Sequence, residues 1–62
     1  MTNHSTFEEY EVDLLDRVSW HLERCVYIRV PLNAGPQAAK EIAQQRYQRN
    51  MIGVITLMHR ED

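Results

Sequence analysis

His21 and Cys25 stand four residues apart, the spacing that puts two side chains on one face of a helix, and His59 lies at the far end of the chain. Two imidazoles and a thiolate are donors that zinc accepts. No Cys-x-x-Cys pair accompanies them, and on a helix His21 and Cys25 fall among apolar side chains, where a core histidine and a buried thiol are the ordinary outcome. No metal or other cofactor is therefore expected. Cys25 and His21 would also make a nucleophile and base. No orienting carboxylate or oxyanion-binding segment stands at a recognisable spacing, and a chain of 62 residues has little room for a concave pocket of the usual few hundred Å³. Neither an enzyme nor a small-molecule substrate is expected. Asn33-Ala34-Gly35-Pro36 precedes a helix, where backbone N–H groups can hold phosphate. It has one glycine, and Pro36 removes a donor where one is needed, so it is no phosphate loop.

Trp20 is different. Read as part of a helix, it lies among Asp13, Asp16, Arg17, Glu23 and Arg24, away from the apolar face. A large exposed ring inside a charged rim is the chemistry of a binding hot spot. Trp20, Asp16, Arg17 and Arg24, with Ile55 and Leu57 below, are the expected protein-binding residues. The alternative is a nucleic-acid-binding dimer using Lys40, Arg46, Arg49 and Arg29. Charge is unevenly placed: residues 1–23 hold six carboxylates against Arg17, and residues 24–60 hold six cations against Glu41. Mutual attraction, within the chain or between two copies, is one meaning of this split. A basic surface for phosphate is the other, and a pI near 5.8 weighs against it.

The elements that position these groups follow from periodicity. Residues 6–24 place Phe7, Tyr10, Leu14, Leu15, Val18, His21 and Leu22 on one helical face, and Ser5 with Glu8 has capping-box spacing. Glu11 and Trp20 break that pattern. Residues 25–32 are rich in β-branched and aromatic types and read as a strand, with Val26, Ile28 and Val30 on one side. Pro36 opens a second helix over 36–49, with Ala38, Ala39, Ile42, Ala43 and Tyr47 on one face. Within it, Ala39-Lys40-Glu41-Ile42-Ala43 resembles the first helix of helix-turn-helix proteins; no turn glycine follows, and residues 51–58 read as a strand. In that strand Ile52, Val54, Thr56 and Met58 face one way, and Met51, Gly53, Ile55 and Leu57 the other.

The expected fold is thus a single small α+β domain over 1–62, in the order α-β-α-β, with residues 1–5 flexible. A two-stranded sheet, closed as a βαβ unit, is packed by two helices. A competing reading makes residues 9–15 and 18–30 an antiparallel hairpin, giving three strands and one helix; the helical reading takes precedence on its wide apolar face and its cap. A two-stranded sheet with one bare apolar face is not stable alone in water. Pairing with a second copy, extending the sheet, is the expected remedy.

Length sets the outer limits. Chains of about 60 residues bury only roughly 60% of their unfolded surface, so partners or cross-links often supplement the core. One cysteine excludes an internal disulfide and fits a reducing compartment. Residues 1–5 have no basic or apolar leader character, and no apolar run approaches the roughly 20 residues that span a bilayer. A cytoplasmic adaptor, inhibitor or regulator, probing partners as a homodimer, is the expected role, with no membrane partner. In size and make-up the chain resembles bacteriophage accessory proteins, a likeness of style that no motif carries.

Overall fold

The computed structural model describes residues 6–61. The expected flexibility of residues 1–5 and the Ser5 cap lie outside them. Strand β1 (Phe7–Asp16) turns into β2 (Leu22–Pro31), helix α1 (Pro36–Arg46) follows, and β3 (Asn50–Glu61) ends the chain. The three strands form one sheet in the order β2-β1-β3, and β1 is antiparallel to both neighbours. β2 and β3 therefore run in the same sense at opposite edges, with β1 between them.

This overturns the expected architecture. Residues 6–24 are not a helix, and the sheet has three strands and one helix instead of two of each. The reason lies in β1 itself. Glu8, Tyr10, Val12 and Leu14 are buried, while Phe7, Glu9, Glu11, Asp13 and Leu15 are only partly so. That alternation has period two, the mark of a half-buried strand. Glu11 does not fit a helical apolar face because it belongs to the other side of a strand. Trp20 does not fit because it sits in a turn.

Asp16 makes that turn. Its carboxylate accepts the backbone N–H of Val18 and of Ser19, both at 2.8 Å, and its carbonyl accepts the Trp20 N–H at 2.9 Å. An aspartate that binds its own following amides is a strong local turn former. The chain then passes through a left-handed residue, Trp20 at φ 67°, and the Asp16 N–H returns to the His21 carbonyl.

The core lies between the sheet and α1. Tyr10, Val12 and Leu14 of β1 meet Ile28 and Val30 of β2 and Ala39 and Ala43 of α1. The small side chains of Ala39 and Ala43 let the helix lie close to the sheet. Ala38, Ile42 and Tyr47 flank them, and the expected face of this helix is the one that packs.

β3 is where the alternation fails. Ile52 lies opposite Leu14, Ile55 opposite Val12 and Leu57 opposite Tyr10, all on the helix side. Two bulges make this possible: Gly53 and Val54 together face Asp13, and Met58 is an extra residue between Leu57 and His59. The expected faces, with Ile55 and Leu57 turned away from Ile52, are corrected accordingly. Ile55 packs against the core, whereas Leu57 remains 48% exposed. Gly53 suits its bulge, because a Cβ there would come within 3.2 Å of the Asp13 Cβ and of the Leu15 side chain.

Candidate interaction surfaces

The hairpin end of the sheet carries the first surface. Every residue from Arg17 to Cys25 is exposed, and the body measures 50 × 19 × 15 Å. An 11-residue helix is about 16 Å long and a ten-residue strand about 33 Å, so α1 covers only part of the sheet. The tip presents Val18 at 90%, Trp20 at 66% and Leu22 at 57% exposure. Around it, the Asp16 carboxyl is held below its ordinary pKa by the Ser19 and Val18 N–H groups. Arg17 donates to the Gln48 carbonyl at 2.9 Å, and Arg24 lies 5.2 Å above the Tyr47 ring. Trp20, Asp16, Arg17 and Arg24 thus gather at one end of the molecule, as a hairpin and not as a helix face. Ile55 and Leu57 belong to β3 and not to this tip. Val18 and Leu22 were not singled out from sequence; the signal was Asp16 with Ser19, a turn motif inside an apparent helix.

The open face of the sheet, which α1 leaves uncovered, carries a ladder of cross-strand pairs. Glu9 lies opposite Arg29, Glu11 opposite Tyr27 and Asp13 opposite Cys25. Each carboxylate accepts from its partner: Arg29 Nε at 3.3 Å, Tyr27 Oη at 3.0 Å and Cys25 Sγ at 3.2 Å. Arg29 also stacks 4.3 Å above Phe7, whose ring lies 5.8 Å from that of His59. Along Glu9, Glu11 and Asp13 this side is polar, with Phe7 at one end and Leu15 opposite Met51 at the other, so among the described residues it is not the continuous bare apolar face expected for the sheet.

His21, Cys25 and His59 do not converge. His21 follows the turn, Cys25 pairs with Asp13, and His59 pairs with Glu9 four residues along the strand. The donors that do come together are Glu11, Asp13 and Cys25, with ligand atoms within 4.8 Å of one another. The hydrogen bond to Asp13, burial and the Asp13 charge all push the Cys25 thiol above its ordinary pKa. Tyr27 is likewise raised by its bond to Glu11. A thiol held protonated is not an activated nucleophile.

The start of α1 is occupied from within. Glu8 is 5% exposed and accepts from the Gly35 N–H at 3.3 Å and from the Tyr10 hydroxyl at 3.1 Å. Burial pushes its pKa up, but the Gly35 and Asn33 N–H groups, Tyr10 and Arg60 together outweigh it and hold the carboxyl below its ordinary value. Gly35 adopts φ 84° and ψ 173°, a region essentially confined to glycine. The loop expected not to bind phosphate presents this N–H to its own carboxylate.

The cations expected to serve nucleic acid are divided. Arg29 is on the open face with Glu9. Arg46 and Arg49 line a cleft of about 340 Å³ at the C-terminal end of α1, and Arg24 joins them from β2. Lys40 lines a neighbouring cleft of about 260 Å³ with Arg17, and Asn50 belongs to both. Sequence reasoning missed the meeting of Arg24 and Tyr47 with Arg46 and Arg49, because only the hairpin and the crossover bring them together.

No helix of the described residues is long and apolar enough to cross a membrane. In comparisons with known proteins, no family model, no curated protein and no solved structure matches the chain.

Proposed function

We propose that the protein is a non-enzymatic protein–protein interaction module of the cytoplasm, a homodimeric adaptor, inhibitor or regulator that presents the β1–β2 hairpin tip to its partner. Trp20 carries this reading. It is two-thirds exposed, so the core gains little from it, and it occupies a left-handed conformation that costs a non-glycine residue about 1–2 kcal/mol. Glycine or asparagine is the residue the fold alone would favour there. A bulky indole kept at a strained, exposed turn, flanked by exposed Val18 and Leu22, serves something outside the chain.

The dimer rests on the two sheet edges. β2 is guarded by Glu23, Arg24, Arg29 and Pro31, which discourage pairing with another strand. β3 carries no charge from Asn50 to Met58 and exposes Val54, Leu57 and Met58. A second copy paired antiparallel along β3 satisfies that edge. The free, exposed Cys25 thiol accords with a reducing compartment.

The test is Trp20→Gly. The variant should be as stable as the wild type or more so, by about 1 kcal/mol in urea unfolding. The proteins cross-linked to the wild-type chain in its own cell should be missing from the variant. An identical cross-linked set would refute the reading, as would a Trp20 emission already blue-shifted and shielded from quenchers in the free protein.

A further inference from the structure

We infer that the cleft at the C-terminal end of α1 is a binding site for the phosphates of single-stranded nucleic acid. This goes beyond the interaction-module reading and does not depend on it. Three arginines reach the cleft from three parts of the chain: Arg24 from β2, Arg46 from the last turn of α1 and Arg49 from the loop that follows. No carboxylate lines the cleft, nor the adjoining one that holds Arg17 and Lys40. Among the described residues, Glu23 is the carboxylate tied to a lining residue, through the side chain of Asn50.

The concentration of charge needs a cause. One cation in the last turn of a helix complements the helix dipole, which is equivalent to only about half a charge. Arg46 meets that need, whereas Arg24 and Arg49 lie outside the helix. Nine acidic residues are available in the chain, and on the open face Glu9 shows how a lone arginine is balanced. Three arginines line one cleft whose own lining holds no carboxylate, an arrangement that an anionic ligand complements. Arg24 is also held in place, 5.2 Å above the Tyr47 ring.

Phosphate is the anion that suits guanidinium forks, which bind its oxygens in pairs. A chain of phosphodiesters suits the layout better than one isolated phosphate, because the cations continue past Asn50 into the second cleft. The amides of Gln45 and Gln48 offer donors and acceptors to base edges. A concave site of about 340 Å³ admits an unpaired nucleotide, whereas the bases of a duplex are stacked and paired and do not enter such a cleft.

The test uses the full chain and a fluorescein-labelled oligothymidylate of about ten nucleotides, followed by anisotropy. Binding at 50 mM salt should weaken at least roughly 20-fold at 200 mM, the dependence expected when the three arginines of the first cleft alone neutralise a single strand. Arg46→Glu with Arg49→Glu, both at exposed positions, should weaken binding by at least about tenfold, with the circular dichroism spectrum unchanged. Arg29→Gln, on the opposite face, should leave it within about twofold. No binding at 50 mM salt overturns the proposal. So does equal weakening by Arg29→Gln, or binding that survives the double substitution. A duplex of the same length binding as tightly overturns the single-strand assignment, and inorganic phosphate at millimolar concentration displacing the strand completely overturns the need for a polymer.

Discussion

Glu8 shows how one residue ties two elements together. It stands on β1, but its carboxylate accepts the N–H that opens the approach to α1, and the Tyr10 hydroxyl completes its shell. Its folded pKa lies below the ordinary value. The stability it contributes is therefore full above the unfolded glutamate pKa of about 4.3 and is lost as pH falls through the lower, folded value. Glu8→Gln keeps an acceptor oxygen yet takes up no proton. Urea unfolding at pH 7 and pH 3 should show a smaller loss in acid for the variant than for the wild type. Equal losses would mean that Glu8 is not a source of the acid sensitivity. At the same scale, Trp20 separates cost from use, since its conformation burdens the fold and its exposure leaves it free for a partner.

At the scale of elements, β3 departs most from a simple strand. It uses 12 residues to span the ten of β1, and the two bulges absorb the difference. The first bulge depends on Gly53, whose missing side chain leaves space for Asp13 and Leu15. Gly53→Val should lower stability by about 1–3 kcal/mol, as overpacking does, and should move the urea midpoint without changing its slope. A variant at least as stable as the wild type would show that this contact yields easily. The β1–β2 hairpin was legible only in part. Its strict alternation at Tyr10, Val12 and Leu14 is visible, but Phe7, Tyr10, Leu14, Val18 and His21 also fit a helical stripe. Residues four apart, such as Tyr10 and Leu14, share a face in both a helix and a strand, so the misfits, Glu11 and Trp20, held the deciding information.

For the whole molecule, size governs the outcome. Among the described residues, seven buried apolar ones form the core, and a domain of this length has a stability of roughly 3–9 kcal/mol. A second copy along β3 would add to that. The wild type should elute as a dimer by light scattering, with a thermal midpoint that rises with protein concentration. Val54→Lys with Leu57→Lys should give a folded monomer whose midpoint no longer depends on concentration. A wild type that stays monomeric across the whole range removes the homodimer. The grounds for a dimer are altered: β1 supplies the third strand, Ile55 packs against the core, and the exposed aliphatic side chains of the sheet lie along the β3 edge, apart from the hairpin tip with Val18, Trp20 and Leu22.

Composition and local pattern alone determined the helix beginning at Pro36, its Ala39 and Ala43 face, and the strand character of the segments around Ile28 and Ile55, because these signals act between near neighbours. Tertiary structure decided the rest. Whether residues 7–16 coil or extend depends on strands on both sides that take up their backbone hydrogen bonds, and one of them, β3, is remote in sequence. The same long-range pairing set Glu9, Glu11 and Asp13 against Arg29, Tyr27 and Cys25, and it carried Arg24 across to Arg46 and Arg49. A sheet joins residues by register, and register arises only when the whole chain closes on its core.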